Sequence, residues 1–410
     1  MPEGAERDER VGGDLLGRMK HLAVISLVIV GAAPAMLGQS EAPITREGRF
    51  WVRSISGSVM VGSAERFRLD TVGNVVLHGD AGSSINYTLK LRAEAGDARE
   101  AAALFRQVEL RSSKQDGLAF LIVNPPRRIS EAPELTLAVP RNLREVRVET
   151  RGGNVQASDL DGQVEARSLG GRIAVDAIRG AAEIRTGGGD IQVGSVAGPL
   201  RCYSGGGVIR VQNGGSECWL ETAGGEIFLH DSDGPVHAST AGGNIRIERS
   251  AGAVFARTAG GLIQVQQSGG LVTAESSGGA IQVSAANGVR CDSAGGAIRL
   301  RNVAGALRAS TSAGSILAEL ANGTRMEDSS LSTNAGDVTV FISSNLPVTV
   351  LARNQSGGSG RIISDFPQIR VRQAGDAGSV PVVAEGALNG GGPTLRINVI
   401  GGTIYLRKQK

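Results

Sequence analysis

The stretch GGNIRIERSAGAVFARTA, residues 242–259, is one period of this chain. It opens on a glycine pair, follows with apolar Ile245 and Ile247, turns at Gly252 and continues with apolar Val254 and Ala256. The period repeats on both sides. Glycines stand at Gly153, Gly162, Gly171, Gly180, Gly189, Gly198 and Gly207, then from Gly225 to Gly279 at the same spacing of nine, then at Gly296, Gly305 and Gly314. A period of 18 residues with two glycine corners predicts flat coils of two short strands and two tight turns. Glycine at the corners is expected to serve positive φ and close stacking of coils.

Counted from its corner glycine, each half-period points positions two, four and six to one side, because side chains alternate along a strand. After the glycine pair, these inward positions hold Ile or Val and then Val, Leu, Ile or Ala. In the other half they hold Val, Ala, Leu or Cys, followed by a Ser or Thr row from Ser168 to Thr311. The hydroxyl row is expected to bond corner backbone. The fold class is therefore all-β: a parallel β-solenoid of about ten such coils.

Residues 41–150 lack the glycine ladder. Alternation marks strands in FWVRSISGSVMV, RFRLDTV, NVVLHG, SINYTLKLRAEA, GLAFLIV and ELTLAVP. Residues Asp97 to Leu110 read as a helix with Ala101, Leu104, Phe105 and Val108 on one face. The organisation expected is a β-rich N-terminal cap over 41–150, a regular solenoid over 151–322 and irregular coils or a cap over 323–410. Gln373 to Pro393 reads as loop. Caps are needed because a solenoid end exposes strand edges and core.

Ahead of these lies Lys20-His21, an apolar run from Leu22 to Ala35, and small residues to Ser40. This reads as a signal peptide over residues 1–40, with Met19 as an alternative start and an uncleaved anchor as the alternative role. The expected location is exported: periplasmic, outer envelope or extracellular, with no membrane span in the mature chain. The net charge of +3, with no long basic run, argues against a nucleic-acid partner.

The GGxIxV coils, the AGDVTV and GRIISDFP segments and the closing GGTIYLRK resemble the bacterial domain-of-unknown-function family labelled "putative adhesin", over roughly residues 146–410. The resemblance implies a β-solenoid associated with the cell envelope, without established catalytic residues.

Chemistry-bearing residues are sparse. Calcium-binding nonapeptides also form 18-residue coils, but the residue after the glycine pair varies from Asn154 and Arg172 to Leu262 and Ala280, so no acidic ladder is kept. No metal or cofactor is expected. Cys202, Cys218 and Cys291 fall on inward positions and read as small core residues, with a Cys202–Cys218 bridge conceivable on a diagonal. His78, His230 and His237 belong to no catalytic motif. The glutamates Glu165 and Glu183 stack beside Arg167 and Arg185 and read as solvated cross-strand pairs. The outward row Glu165, Glu183, Arg201, Trp219, His237, Phe255, Thr273, Arg290, Arg308 has an aromatic centre in a chain with only 3% aromatics. With Tyr203 on the diagonal, the candidate binding residues are Arg201, Tyr203, Trp219, His237 and Phe255, suited to sugar rings or apolar partner side chains. The functional expectation is a non-enzymatic adhesin or scaffold with a glycan or envelope-protein partner. The alternative is a carbohydrate-active enzyme using acids such as Asp365, Asp376 and Glu385, and a further reading is end-to-end polymerisation.

Overall fold

The structure is a computed structural model that describes residues 37–409 except 63–64, 127–128, 130, 321–324, 357–360 and 374–380. The apolar run 22–35 and Asp376 lie outside the described residues. Two long sheets of mainly parallel strands enclose one continuous apolar core. Each half-period is one strand, and the two halves alternate between the sheets. In one sheet Gln163–Ser168 pairs with Ala182–Thr186, then Leu200–Ser204, Cys218–Thr222, Val236–Thr240 and Val254–Thr258, all parallel and displaced by 18 residues. In the opposite sheet Ile227–Ser232 pairs with Ile245–Ser250, and that with Ile263–Ser268. The protein is an all-β solenoid.

The inward positions form the core. In the quoted period Ile245, Ile247, Val254 and Ala256 are each at most 1% exposed. Burying each Ile or Val side chain contributes about 1.5–3 kcal/mol. Replacing Ile247 by Ala would cost about 2–5 kcal/mol, since neighbouring coils cannot collapse into the gap.

The corners explain the glycines, with one revision. None of the pair glycines along the ladder has positive φ. What they need is room. A Cβ on Gly171 would lie 2.0 Å from the Gly153 carbonyl oxygen, and one on Gly279 would lie 1.7 Å from that of Gly261. The second glycine of each pair is thus fixed by the approach of the coil beneath it. The first meets nothing within 4 Å at Gly170, Gly188, Gly206, Gly224 and Gly242. The buried hydroxyl row ties successive coils at this corner. Thr186 Oγ1 donates to the Gly171 carbonyl at 2.8 Å and accepts from the Gly189 N–H at 3.1 Å. Ser204 repeats the pattern with Gly189 and Gly207 at 2.8 and 2.9 Å. A second buried hydroxyl row that the ladder did not announce, Ser232, Ser250 and Ser268, serves the other corner.

The stacking continues past the ladder at both ends. Arg66–Thr71 and Asn74–Asp80 form a coil in register with Glu145–Thr150 and Val155–Leu160. Leu118–Asn124 and Glu134–Pro140 form the next coil outward. Antiparallel strands then close the edges: Glu109–Gln115 on one sheet, Ser84–Ala93 followed by Phe50–Met60 on the other. The helix spans only Ala98–Phe105, because Val108 lies beyond it and Glu109–Gln115 is drawn into the sheet. Asp97 caps it, accepting from the N–H groups of Arg99 and Glu100, while Glu100 accepts from Gly96 N–H.

The C-terminal end mirrors this order. Thr394–Gly401 and Thr403–Lys408 lie between the coil of Ser329–Ala335 and Val338–Ile342 and the outermost coil of Val348–Asn354 and Arg361–Ser364. The chain therefore builds its last coil first and slots its terminus in beneath it. Val382–Leu388, within the segment expected to be loop, pairs antiparallel with Val348–Asn354 and with Arg370–Gln373. Phe366 and Ile369 are buried between these outermost strands.

Candidate functional site

The outward row of the Trp219-bearing sheet has the register read from the sequence. Glu165, Glu183, Arg201, Trp219, His237, Phe255, Thr273, Arg290 and Arg308 are successive neighbours across nine aligned strands, the first joined to Arg147 on a tenth. Its two ends differ in chemistry.

The N-terminal third is a packed charge ladder. Arg68 reaches Asp70 at 3.1 Å and Glu149 at 3.3 Å; Arg147 reaches Glu165 at 3.3 Å; Arg167 contacts Glu165 and reaches Glu183 at 3.7 Å; Arg185 holds Glu183 at 2.7 Å. Glu165 is only 8% exposed, so it is not the solvated residue expected. Arg147 from the adjacent strand and Arg167 two residues along its own strand both pair with it. Burial alone would lift the Glu149 carboxyl, but Arg147 and Arg68 outweigh it and hold it below the usual range. Asp70, half-buried and beside Glu149, is lifted, chiefly by its loss of solvent.

The ladder ends at the aromatic rings, and here the geometry changes. Trp219 and His237 stack with centroids 4.0 Å apart and planes 8° from parallel. Phe255 follows His237 at 6.0 Å with a 39° tilt. Parallel strands stand about 4.8 Å apart, so rings rooted on neighbouring strands can stack only by standing on edge. The row is thus not a flat platform: each face of His237 is turned to a neighbouring ring. The open indole face is the one toward Arg201, whose guanidinium carbon lies 5.9 Å from the Trp219 ring.

On that open side lies a shallow groove of about 420 Å³, bordered by Arg185, Arg201, Tyr203, Trp219, Glu221 and His237. Trp219 and Tyr203 are each 44% exposed. The structure therefore brings all five sequence-selected residues to one groove. Arg201 has no carboxylate partner among the described residues, whereas Arg185 is engaged by Glu183. Glu221, Arg185 and Ser239 complete the lining; Glu221 was missed because it has no aromatic or basic character to draw attention in the row beside Tyr203.

The other chemistry-bearing groups are held structurally. His230 contacts Glu248 at 2.5 Å in the next coil, and His78 reaches Asp159 at 3.1 Å. All three thiols are free and buried. Burial pushes Cys291 up to about 12, and burial lifts Cys202, with a smaller push from nearby Cys218. Asp365 is engaged by Arg407 at 2.9 Å and Glu385 by Arg372 at 3.1 Å. No group of three or more metal-ligating side chains occurs among the described residues, and none of their helices is long and apolar enough to cross a membrane.

Comparison with protein-family models finds no match, and comparison with curated proteins finds none either. Among solved structures, similarity is found to chains provisionally named as adhesion proteins. One, a cell adhesion protein from Clostridium sporogenes, is 8% identical, with 87% of this chain and 100% of that chain covered at a TM-score of 0.20. An adhesin from Bacteroides fragilis is 14% identical, with 70% and 95% covered at 0.24. An adhesin from Parabacteroides merdae is 11% identical, with 87% and 96% covered at 0.22. Superposition scores this low carry no argument about the present chain.

Proposed function

We propose that this chain is a non-enzymatic, exported β-solenoid of the cell envelope that acts in adhesion or scaffolding, binding a glycan or protein partner at the groove beside Trp219. The observation that carries the reading is Trp219, 44% exposed, with its outer face turned to the Arg201 guanidinium at 5.9 Å. It is the exposed end of a ring stack, set on a rigid sheet next to an Arg with no carboxylate partner. A ring stacks on such a face at little entropic cost, because the indole is already held by His237. Arg201, Glu221 and Ser239 supply the polar contacts that orient a hydroxylated ligand. The charge ladder and the corner hydroxyls keep that surface stiff.

Export rests on the basic residue and apolar run before Ala35. Cell fractionation with surface protease access tests it, and a cytoplasmic protein would overturn it. Titration of purified protein against a glycan panel tests the binding. Saturable binding lost in Trp219→Ala is expected. Turnover of any glycan, or binding of a neutral glycan untouched by Trp219→Ala and Phe255→Ala, would overturn the reading.

A further inference from the structure

A second outward surface, at the C-terminal end of the same sheet, has a different composition. Past Arg308 the strands run Ser329–Ala335, Thr394–Gly401, Val348–Asn354, Val382–Leu388 and Arg370–Gln373. Register sets Arg396 beside Leu351 and Asn398 beside Arg353. It sets Glu385 between Leu351 and Arg370. A groove of about 590 Å³ is bordered by Leu351, Arg353, Arg372, Glu385, Arg396 and Asn398. Glu385 is its one carboxylate, and Arg372 already holds that at 3.1 Å. Arg353 and Arg396 are exposed and have no carboxylate partner among the described residues. Asp328, ahead of Ser329–Ala335, accepts from the Thr394 N–H at 2.8 Å. In the ladder from Arg68 to Arg185 on this sheet each arginine meets a carboxylate. Here the balance fails.

We propose that this groove binds the acidic groups, sulfate or carboxylate, of a linear polysaccharide. Guanidinium groups present planar forks that match both anions with paired hydrogen bonds. Arg396 and Arg353 sit on adjacent strands, offset by two residues and so about 7–8 Å apart on the diagonal, a fixed pair of cations along which a chain of charged sugars lies. The exposed side chain of Leu351, directly opposite Arg396 and two residues before Arg353 on its strand, offers an apolar contact for the carbohydrate ring. Among the lining side chains none is aromatic, so the stacking that single-stranded nucleic acid uses is missing. The site is independent of the Trp219 groove.

The test uses the full chain and fluorescence anisotropy with labelled oligosaccharides of equal length: a heparin-derived sulfated oligomer, an oligogalacturonate, a neutral dextran oligomer and oligo-dT. One or both acidic sugars bind and dextran does not, and the affinity falls at least about tenfold as salt rises from low to several hundred millimolar. The sulfated and uronate arms separate the two sources of negative charge. The exchange Arg353→Gln with Arg396→Gln weakens binding by about tenfold or more, with circular dichroism unchanged, because both side chains are exposed. Trp219→Ala leaves it unchanged. Glu385→Gln, which removes the one negative charge, tightens it by about threefold, and this second reading stands if the double variant folds poorly. Binding unaffected by both sets of substitutions overturns the proposal. So does oligo-dT bound as tightly as the acidic sugars.

Discussion

Trp219 and His237 are eighteen residues apart in sequence, yet their rings stack at 4.0 Å with planes 8° from parallel. The stack converts an exposed indole into a fixed wall of the groove. Such a pair adds about 0.5–1.5 kcal/mol beyond the area it buries. His237→Ala should therefore leave the fold intact while freeing the Trp219 side chain. Glycan affinity should fall by about fivefold to tenfold, less than the loss in Trp219→Ala. Equal loss in the two variants would mean that His237 touches the ligand itself.

The glycine pairs give a matched comparison. Gly243→Ala places a methyl 1.9 Å from the Gly225 carbonyl oxygen, whereas Gly242→Ala meets nothing within 4 Å. The first is expected to cost about 2–4 kcal/mol and the second less than about 0.5 kcal/mol, read from urea midpoints. Equal effects would show that the corner relaxes freely.

Cys291 makes stability sensitive to alkali. Burial raises its thiol from an ordinary 9.0 to about 12. Between those values the unfolded chain has released the proton and the folded chain has kept it. Stability is thus full below about 9 and declines toward 12, by roughly 4 kcal/mol at the limit. Cys291→Ala should flatten that part of the curve, although Cys202 and Cys218 keep some slope. In the native protein at neutral pH all three thiols should resist alkylation until denaturant is added.

Acid acts on the opposite sign. The hydrogen bonds from Arg249 to Asp231, in neighbouring coils, hold that carboxyl below its usual range. Its contribution is present above the ordinary carboxylate range and is lost as pH falls through the lowered folded value. Arg249→Gln should shrink the drop in melting temperature on acidification. The change should be modest, since the pair is exposed to solvent.

Truncation after Pro393 removes Thr394–Gly401 and Thr403–Lys408, which lie inside the C-terminal stack. The outermost coil would then lose its neighbour on both sheets. Such a chain should show exposed apolar surface by dye binding and aggregate. A soluble, cooperatively folded product would mean that Val348–Asn354 docks directly on Ser329–Ala335.

Register was legible because spacing alone determines it. The glycine period placed Cys202, Cys218 and Cys291 in the core and aligned Trp219, His237 and Phe255 across coils. Ring orientation was not legible, since side-chain torsions are chosen by neighbours and not by spacing. The burial of Glu165 escaped for a similar reason: it depends on Arg147 from the adjacent strand together with Arg167 two residues along its own. Positive φ was the wrong cause for the paired corner glycines, though it holds for Gly305, because sequence does not distinguish a glycine needed for its torsion from one needed for its lack of Cβ. The basic groove was hidden furthest, since Arg353 and Arg396 become neighbours only when the terminus slots beneath an earlier coil.

The reversed order of coils at each end has a consequence for how this molecule can change in size. Both ends are interlocked, each closed by strands that return across a coil already laid down. Neither end can be shortened without opening the core. The middle has no such constraint, because each coil meets only the one before and the one after. Loss or duplication of eighteen residues there leaves each coil with an equivalent neighbour on both sides. The distance between the Trp219 groove and the arginine groove is therefore adjustable in steps of one coil, with both surfaces kept unaltered.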